Sequence, residues 1–315
     1  MEQAIGGYNE LELRKGEHYH KNALRLNTAR NCFEYILRAR AYEKVYIPYY
    51  TCEVMLEPIC KLGIDYEFYH INIDFEPAHI VQLDEKEAFL YTNYYGLKQS
   101  CVEKLSQLYG NKLIVDNAQA FFAQPINGID TFYSCRKFFG VPDGAYLYTD
   151  CLLDEDFEQD YSYGRMSHLL KRIDLSAEDG YKDFQQAEES LCNQPIKKMS
   201  KLTERLLESI DYELEIARRR DNYGNLFDTL NSDKKWILPS DAVPLSYPYY
   251  TEDYKQRKCL IENRVFVPKY WSNVESWVRE NAVEIGLVNN MYPLPIDQRY
   301  GVEDMQRIIN IIING

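Results

Sequence analysis

Between Leu26 and Thr149 the chain alternates short apolar runs with amphipathic ones, most of them punctuated by glycine. That rhythm constrains the fold more than any other feature. LNTARNCFEYILRA reads as a loop entering a helix: Thr28 is an acceptable N-cap, and Cys32, Phe33, Ile36 and Leu37 fall at helical spacing. KVYIPYY (44–50) reads as a strand stopped by Pro48. CEVMLEPICKLG (52–63) reads as a short helix closed by Gly63. DYEFYHIN (65–72) and AFLYTNYYG (88–96) read as strands, SCVEKLSQLYG (100–110) as a helix, and KLIVD, DTFYS and GAYLYT as three further strands. Alternation on this scale predicts an α/β protein with a mainly parallel sheet covered by helices on both faces. Ligands of such sheets bind beyond the carboxyl ends of the strands. Residues 28–30, 49–51, 93–96, 116–119 and 134–137 all sit at such ends and are expected to converge.

After Thr149 the pattern changes. Residues 150–195 are polar and acidic, without clear strands. Residues 196–231 read as one long helix, with Leu202, Leu206, Ile210, Leu214, Ile216 and Ala217 at roughly helical spacing. From Trp236 onward, a Lys258–Glu262 helix, the apolar run VFVPKYW (265–271) and a closing helix at 302–313 suggest a small α+β unit. The expected division is a large domain at 1–200 and a small one at 201–315, joined by the long helix.

Composition narrows the partners. The net charge of −13 opposes a nucleic-acid face, which needs a basic patch. No run approaches the roughly 18 apolar residues of a membrane helix. The eight cysteines are scattered without a CxxC pair, so neither zinc nor a disulfide framework is suggested. Reduced thiols and the lack of a leader-like N-terminus point to the cytoplasm. His18 and His20 form an HxH pair; with no third ligand nearby they read as surface histidines and not as a metal site.

The stretch 112–149 carries the chemistry. Asp116 ends an apolar strand and is followed by Asn117 and Gln119. A second strand runs into Ser134 and Lys137, and a Pro142-Asp143-Gly144 turn leads into a third. An acid and a lysine on neighbouring strand ends fit pyridoxal 5′-phosphate (PLP) chemistry. That chemistry needs a lysine for the Schiff base, a carboxylate on the pyridine nitrogen and a helix N-terminus for the phosphate. A strand-end Asp alone is far more often a turn or cap residue than a cofactor ligand.

IVDNAQA (114–120) followed by YSCRKFFGVPDGAYLYT (133–149) resembles the DegT/DnrJ/EryC1/StrS family of PLP-dependent aminotransferases. LNTARNCFEYIL resembles that family's phosphate loop and helix, YIPYYTC its proline-containing strand end, and NYYG its aromatic-Gly strand end. YGRMS (163–167) resembles its Arg-Met-Ser segment, and YPLPIDQRYGVEDMQRIINII its C-terminal turn and helix. The resemblance implies the type I, aspartate aminotransferase-like fold and a homodimer with sites at the subunit boundary. It also implies amino transfer from glutamate or glutamine to a nucleotide-linked keto-sugar. It makes Lys137 the Schiff-base lysine and proton shuttle, and Asp116 the pyridine partner. Gln119 would lie near the phenolic oxygen. Ser134, Thr28 and the amides of Ala29 and Arg30 would hold the phosphate. The chain departs from the family in four places. Ala29-Arg30 replaces Gly-Thr. Ser134 and Lys137 are three apart instead of five. Cys52 stands where an aromatic ring-stacker is usual, leaving Tyr50 or Tyr95 for that role. Only Ser162 or Tyr163 stands near the family's phosphate-binding Asn. A lyase or dehydratase on the same scaffold, or a PLP-fold protein without activity, are the alternative readings.

Overall fold

The structure, a computed structural model, describes residues 5–231 and 235–315. The elements of the first half follow the rhythm of the sequence: β1 (Leu24–Leu26), α1 (Ala29–Arg40), β2 (Lys44–Pro48), α2 (Leu56–Leu62), β3 (Asp65–Tyr69), β4 (Glu87–Thr92), α3 (Gln99–Tyr109), β5 (Leu113–Asp116), β6 (Asp130–Ser134) and β7 (Ala145–Tyr148). They form a seven-stranded sheet in the order β1-β7-β6-β5-β4-β2-β3. The five strands from β3 to β6 are parallel, and β7 pairs antiparallel with both β6 and β1. The expected mainly parallel sheet is therefore present.

Two apolar layers cover it. Phe33, Ile36 and Leu37 of α1 pack on Val45, Ile47, Leu90, Ile114 and Phe132. On the other face Tyr46, Phe89, Tyr91 and Val115 meet Val102 and Leu105 of α3, and the same cluster continues to Leu226, Leu294 and Ile308. Strands buried on both faces explain why β4 and β5 read as unbroken apolar runs.

The second half holds α4 (Ser167–Asp174), α5 (Tyr181–Ser190), α6 (Lys201–Glu208), α7 (Tyr212–Leu230), β8 (Tyr247–Tyr250), α8 (Lys255–Glu262), α9 (Val274–Trp277), α10 (Val283–Asn290), β9 (Met291–Leu294) and α11 (Val302–Asn314). β8 and β9 form an antiparallel pair. Two local expectations are corrected. The single helix expected over 196–231 is two helices, because Asp211 caps a new one: its Oδ1 accepts the Leu214 amide at 3.3 Å. The expected strand at 88–96 stops at Thr92, where Tyr95 and Gly96 take φ of 57° and 75°. Gly96 is required there, since a Cβ would lie 3.1 Å from the Gln119 carbonyl oxygen. The 150–195 region contains two helices.

His18 and His20 are not surface residues. Both are buried, pinning the N-terminal segment to the sheet edge. The His20 Nε2–H donates to the Phe121 carbonyl at 2.7 Å, and its Nδ1 meets the Tyr148 hydroxyl at 3.2 Å. His18 Nδ1 is bonded to the Tyr146 hydroxyl at 2.6 Å, with Glu208 and Arg25 as its charged neighbours. Burial lowers both imidazoles to about 4. Each must therefore stay neutral to remain packed. The unfolded chain binds these protons at about pH 6.5 and the folded chain only at about 4. Their contribution is complete above pH 6.5 and is lost as the pH falls toward 4. The urea midpoint should be flat from pH 8 to 6.5 and should decline from 6.5 to 4. His20→Gln, which can keep the bond to Phe121, should flatten part of that decline; an unchanged profile would show that these rings do not control it.

Candidate active site

Strand register brings the predicted site together. Asp116 lies level with Thr92, so β4 and β5 end together, while β6 runs two residues past Phe132, the partner of Asp116, to Ser134. Asp116 is buried, and its Oδ1 accepts the Ala118 amide at 2.8 Å. Burial pushes its carboxyl up from the ordinary range, and the charge of Lys137 pulls it back down. The acid ends β5, and the lysine lies in the turn that follows neighbouring β6.

The turn after β6 is compact. Cys135–Lys137 form a single 3-10 turn, with the Cys135 amide donating to the Gly144 carbonyl at 3.0 Å and the Phe138 amide to the Cys135 carbonyl at 3.1 Å. Ser134 and Cys135 are buried, whereas Lys137 is exposed. Gly144, at φ 102°, comes so close to α6 that a Cβ would sit 2.7 Å from Thr203 Cγ2. Its amide also donates to the Asn27 carbonyl at 2.7 Å, which ties this turn to the residue before Thr28.

Thr28 caps α1, as the sequence predicts: its Oγ1 accepts the Asn31 amide at 3.1 Å and donates to Asn31 Oδ1 at 2.6 Å. Ala29 and Arg30 occupy the first turn, which contains no acid. Such a terminus favours an anion. Arg30 is buried and paired with Glu57 at 2.8 Å. Arg136, beside Lys137, feels the charge of Arg30: burial first, then that charge, lowers its guanidinium to about 10. Glu188 of α5 and Arg136 form an ion pair. Arg165, from the YGRMS segment, also adds its charge to this cluster, held by Asp143 and by Asp160 at 2.6 Å. Arg136 thus feels the charges of both Arg165 and Arg30, the last of these in the first turn of α1.

Gln119 reaches back to β4. Its Oε1 accepts the Tyr95 amide at 2.7 Å, leaving a buried Nε2 without a partner among the described residues. Tyr50 and Tyr95 are both buried in an aromatic cluster. Tyr50 lies 5.7 Å from Tyr94 and 4.9 Å from Trp271 of the C-terminal half, while Tyr95 lies 6.3 Å from Tyr270.

These features fit PLP. A buried acid can hold a protonated ring nitrogen, an orphan amide donor can meet a ring oxygen, and a cationic helix start can hold a phosphate. Among the described residues there is no cluster of three or more His, Cys, Asp or Glu suited to a metal.

Two residues that periodicity could not reveal hold the lysine turn. The Phe138 carbonyl accepts from Arg219 Nη2 at 3.1 Å and from Gln298 Nε2 at 2.9 Å. Arg219 is 1% exposed, donates also to the Pro244 and Leu245 carbonyls at 3.3 and 3.1 Å, and places its guanidinium 4.6 Å from the Phe138 ring. The second half of the chain thus grips the residue next to Lys137. Arg219→Met should strand these carbonyls and lower the unfolding free energy by about 3 kcal/mol in urea titration. Arg219→Lys should recover part of it; a loss within about 0.5 kcal/mol for the Met variant would contradict the clamp.

No family model matches the chain, and no curated protein matches it in sequence. Solved structures match it in shape. DesV from S. venezuelae superposes with a TM-score of 0.62 at 14% identity, covering 93% of this chain and 84% of that one. The putative sugar aminotransferase Spr1654 from Streptococcus pneumoniae, in its PMP form, gives 0.63 at 15%, covering 92% and 86%. A DegT DnrJ EryC1 StrS aminotransferase from Brucella abortus gives 0.60 at 12%, covering 93% and 85%. Across more than nine-tenths of its length, the chain has the fold of the DegT/DnrJ/EryC1/StrS sugar aminotransferases.

Proposed function

We propose that the protein is a PLP-dependent aminotransferase that moves an amino group from glutamate or glutamine to a keto-sugar, with a nucleotide-linked sugar as the favoured acceptor. What supports this reading is that buried Asp116 and the Lys137 turn follow neighbouring parallel strands, with the charge of Lys137 acting on Asp116 and that of Arg30, in the first turn of α1, acting on Arg136. We extend the proposal to a homodimer acting in the cytoplasm, with a large unit at 1–200 and a small one at 201–315. No helix among the described residues is long and apolar enough to cross a membrane.

When bound, the cofactor supplies an electron sink and carries the amino group between substrates. The residues of the chain supply the rest. Asp116 would hold the ring nitrogen in its protonated form, and that positive partner would keep the buried carboxylate ionised. The amides of Ala29 and Arg30, together with Thr28, Ser134 and the Arg30 and Arg136 guanidiniums, would hold the phosphate. Gln119 Nε2 would donate to the phenolic oxygen. Tyr50 or Tyr95 would flank the ring. Lys137, once free, would take a proton from the substrate carbon and return it elsewhere, as general acid and base.

The purified protein should turn yellow with PLP, and borohydride should fix the cofactor to a peptide containing Lys137. Glutamate should convert the spectrum to that of the amine form. Lys137→Ala should lose the borohydride-stable link and slow single-turnover amino transfer by about 10²–10⁴-fold. A protein that remains colourless and takes up no PLP refutes the proposal.

A further inference from the structure

A second concave site lies beside the first. A cleft of about 800 Å³ opens between the carboxyl ends of β2 and β3 and the segment leading into α10. On one side Tyr49 stacks on Phe68 at 4.7 Å, and Trp277 meets the same Phe68 at 4.8 Å, so the wall is aromatic. Glu284, in the first turn of α10, also lines the cleft and is 0% exposed. Its Oε1 accepts the Ile71 amide at 2.9 Å and lies 3.1 Å from His70 Nδ1. Its Oε2 is buried and has no partner among the described residues. A carboxylate oxygen left bare in a cleft is costly unless something donates to it. The cleft adjoins the aromatic cluster of the candidate site through Tyr49, whose neighbour Tyr50 accepts the Tyr94 hydroxyl at its carbonyl at 2.7 Å.

The lining selects a ligand. The inner carboxylate repels an anion and calls for N–H or O–H donors. The exposed guanidinium of Arg279 flanks the cleft, which disfavours an amine and suits an anionic tail at the rim. The aromatic wall suits a ring face. We propose that this cleft binds a sugar phosphate, with Glu284 accepting from ring hydroxyls, Tyr49 and Trp277 walling the ring, and Arg279 meeting the phosphate. Its role as the subsite for the non-reacting part of the acceptor rests on the aminotransferase reading; the binding itself does not.

The test uses the full chain with and without PLP, and glucose 1-phosphate as the probe, followed by saturation-transfer NMR and calorimetry. Glucose and inorganic phosphate form separate arms. Glucose 1-phosphate should bind more tightly than either, with saturation transferred to its ring protons. Glu284→Gln keeps the acceptor for the Ile71 amide and should weaken glucose 1-phosphate and glucose at least fivefold. Arg279→Gln should weaken the phosphorylated ligand and leave glucose unchanged. Trp277→Leu, on the partly exposed wall, should weaken both and serves if Glu284→Gln does not fold. No saturation transfer at millimolar probe, or an affinity indifferent to Glu284 and Trp277, overturns the proposal. Binding that persists in a protein unable to take up PLP upholds the cleft while refuting the aminotransferase reading.

Discussion

The buried guanidinium of Arg219 is the contact on which the rest depends. It satisfies carbonyls of Phe138, Pro244 and Leu245, drawn from two separate parts of the chain, from within α7. A desolvated cation of this kind is unfavourable alone and is tolerated because its donors meet fixed acceptors. Burial lowers its pKa to about 10, and Asp297 and Glu215 act against that shift. Because Leu245 also donates its amide to the Tyr95 carbonyl at 3.0 Å, the same node reaches the turn after β4. Two turns of the candidate site therefore have their positions set by the second half of the chain.

Charge is distributed around that frame by burial. Asp116 is buried where its ionised form needs a cation, and the charge of Lys137 favours that form. Arg30 and Arg136 are placed where their mutual repulsion needs an anion, and Glu57 and Glu188 partly supply it. Neither end of the site is electrostatically complete by itself. A ligand with a protonated ring nitrogen at one end and a phosphate at the other would relieve both at once.

What the sequence disclosed was what is local. Thr28 as a cap, Gly63 as a helix stop and the strand ends at Asp116 and Ser134 each follow from a few neighbouring residues, and each is found. Parallel pairing then sets those ends on neighbouring strands, so much of the placement of the candidate residues was legible. The rest depends on distant contacts. His18 and His20 read as exposed because their partners Tyr146, Tyr148 and Phe121 lie more than 100 residues away. The break before Asp211 was hidden because the apolar spacing continues across it, and only a side-chain cap marks the restart. Glu284 looked like one acid among many until the fold set it against the amide of Ile71, 213 positions earlier.

The shortened segment from Ser134 to Lys137 gains its meaning from the same clamp. A longer loop could place its lysine by its own internal bonds. This one has a single 3-10 turn, anchored at one side by the bond from the Cys135 amide to Gly144. The other side is anchored from outside, by Arg219 and Gln298 on the Phe138 carbonyl. Gly144 allows the close approach to α6 that the first anchor needs, and α7 provides the second. Loss of two residues from such a loop removes conformational freedom as well as contacts. The geometry that remains is therefore fixed by tertiary packing, and the departure from the family pattern is matched by a support that no local pattern reveals.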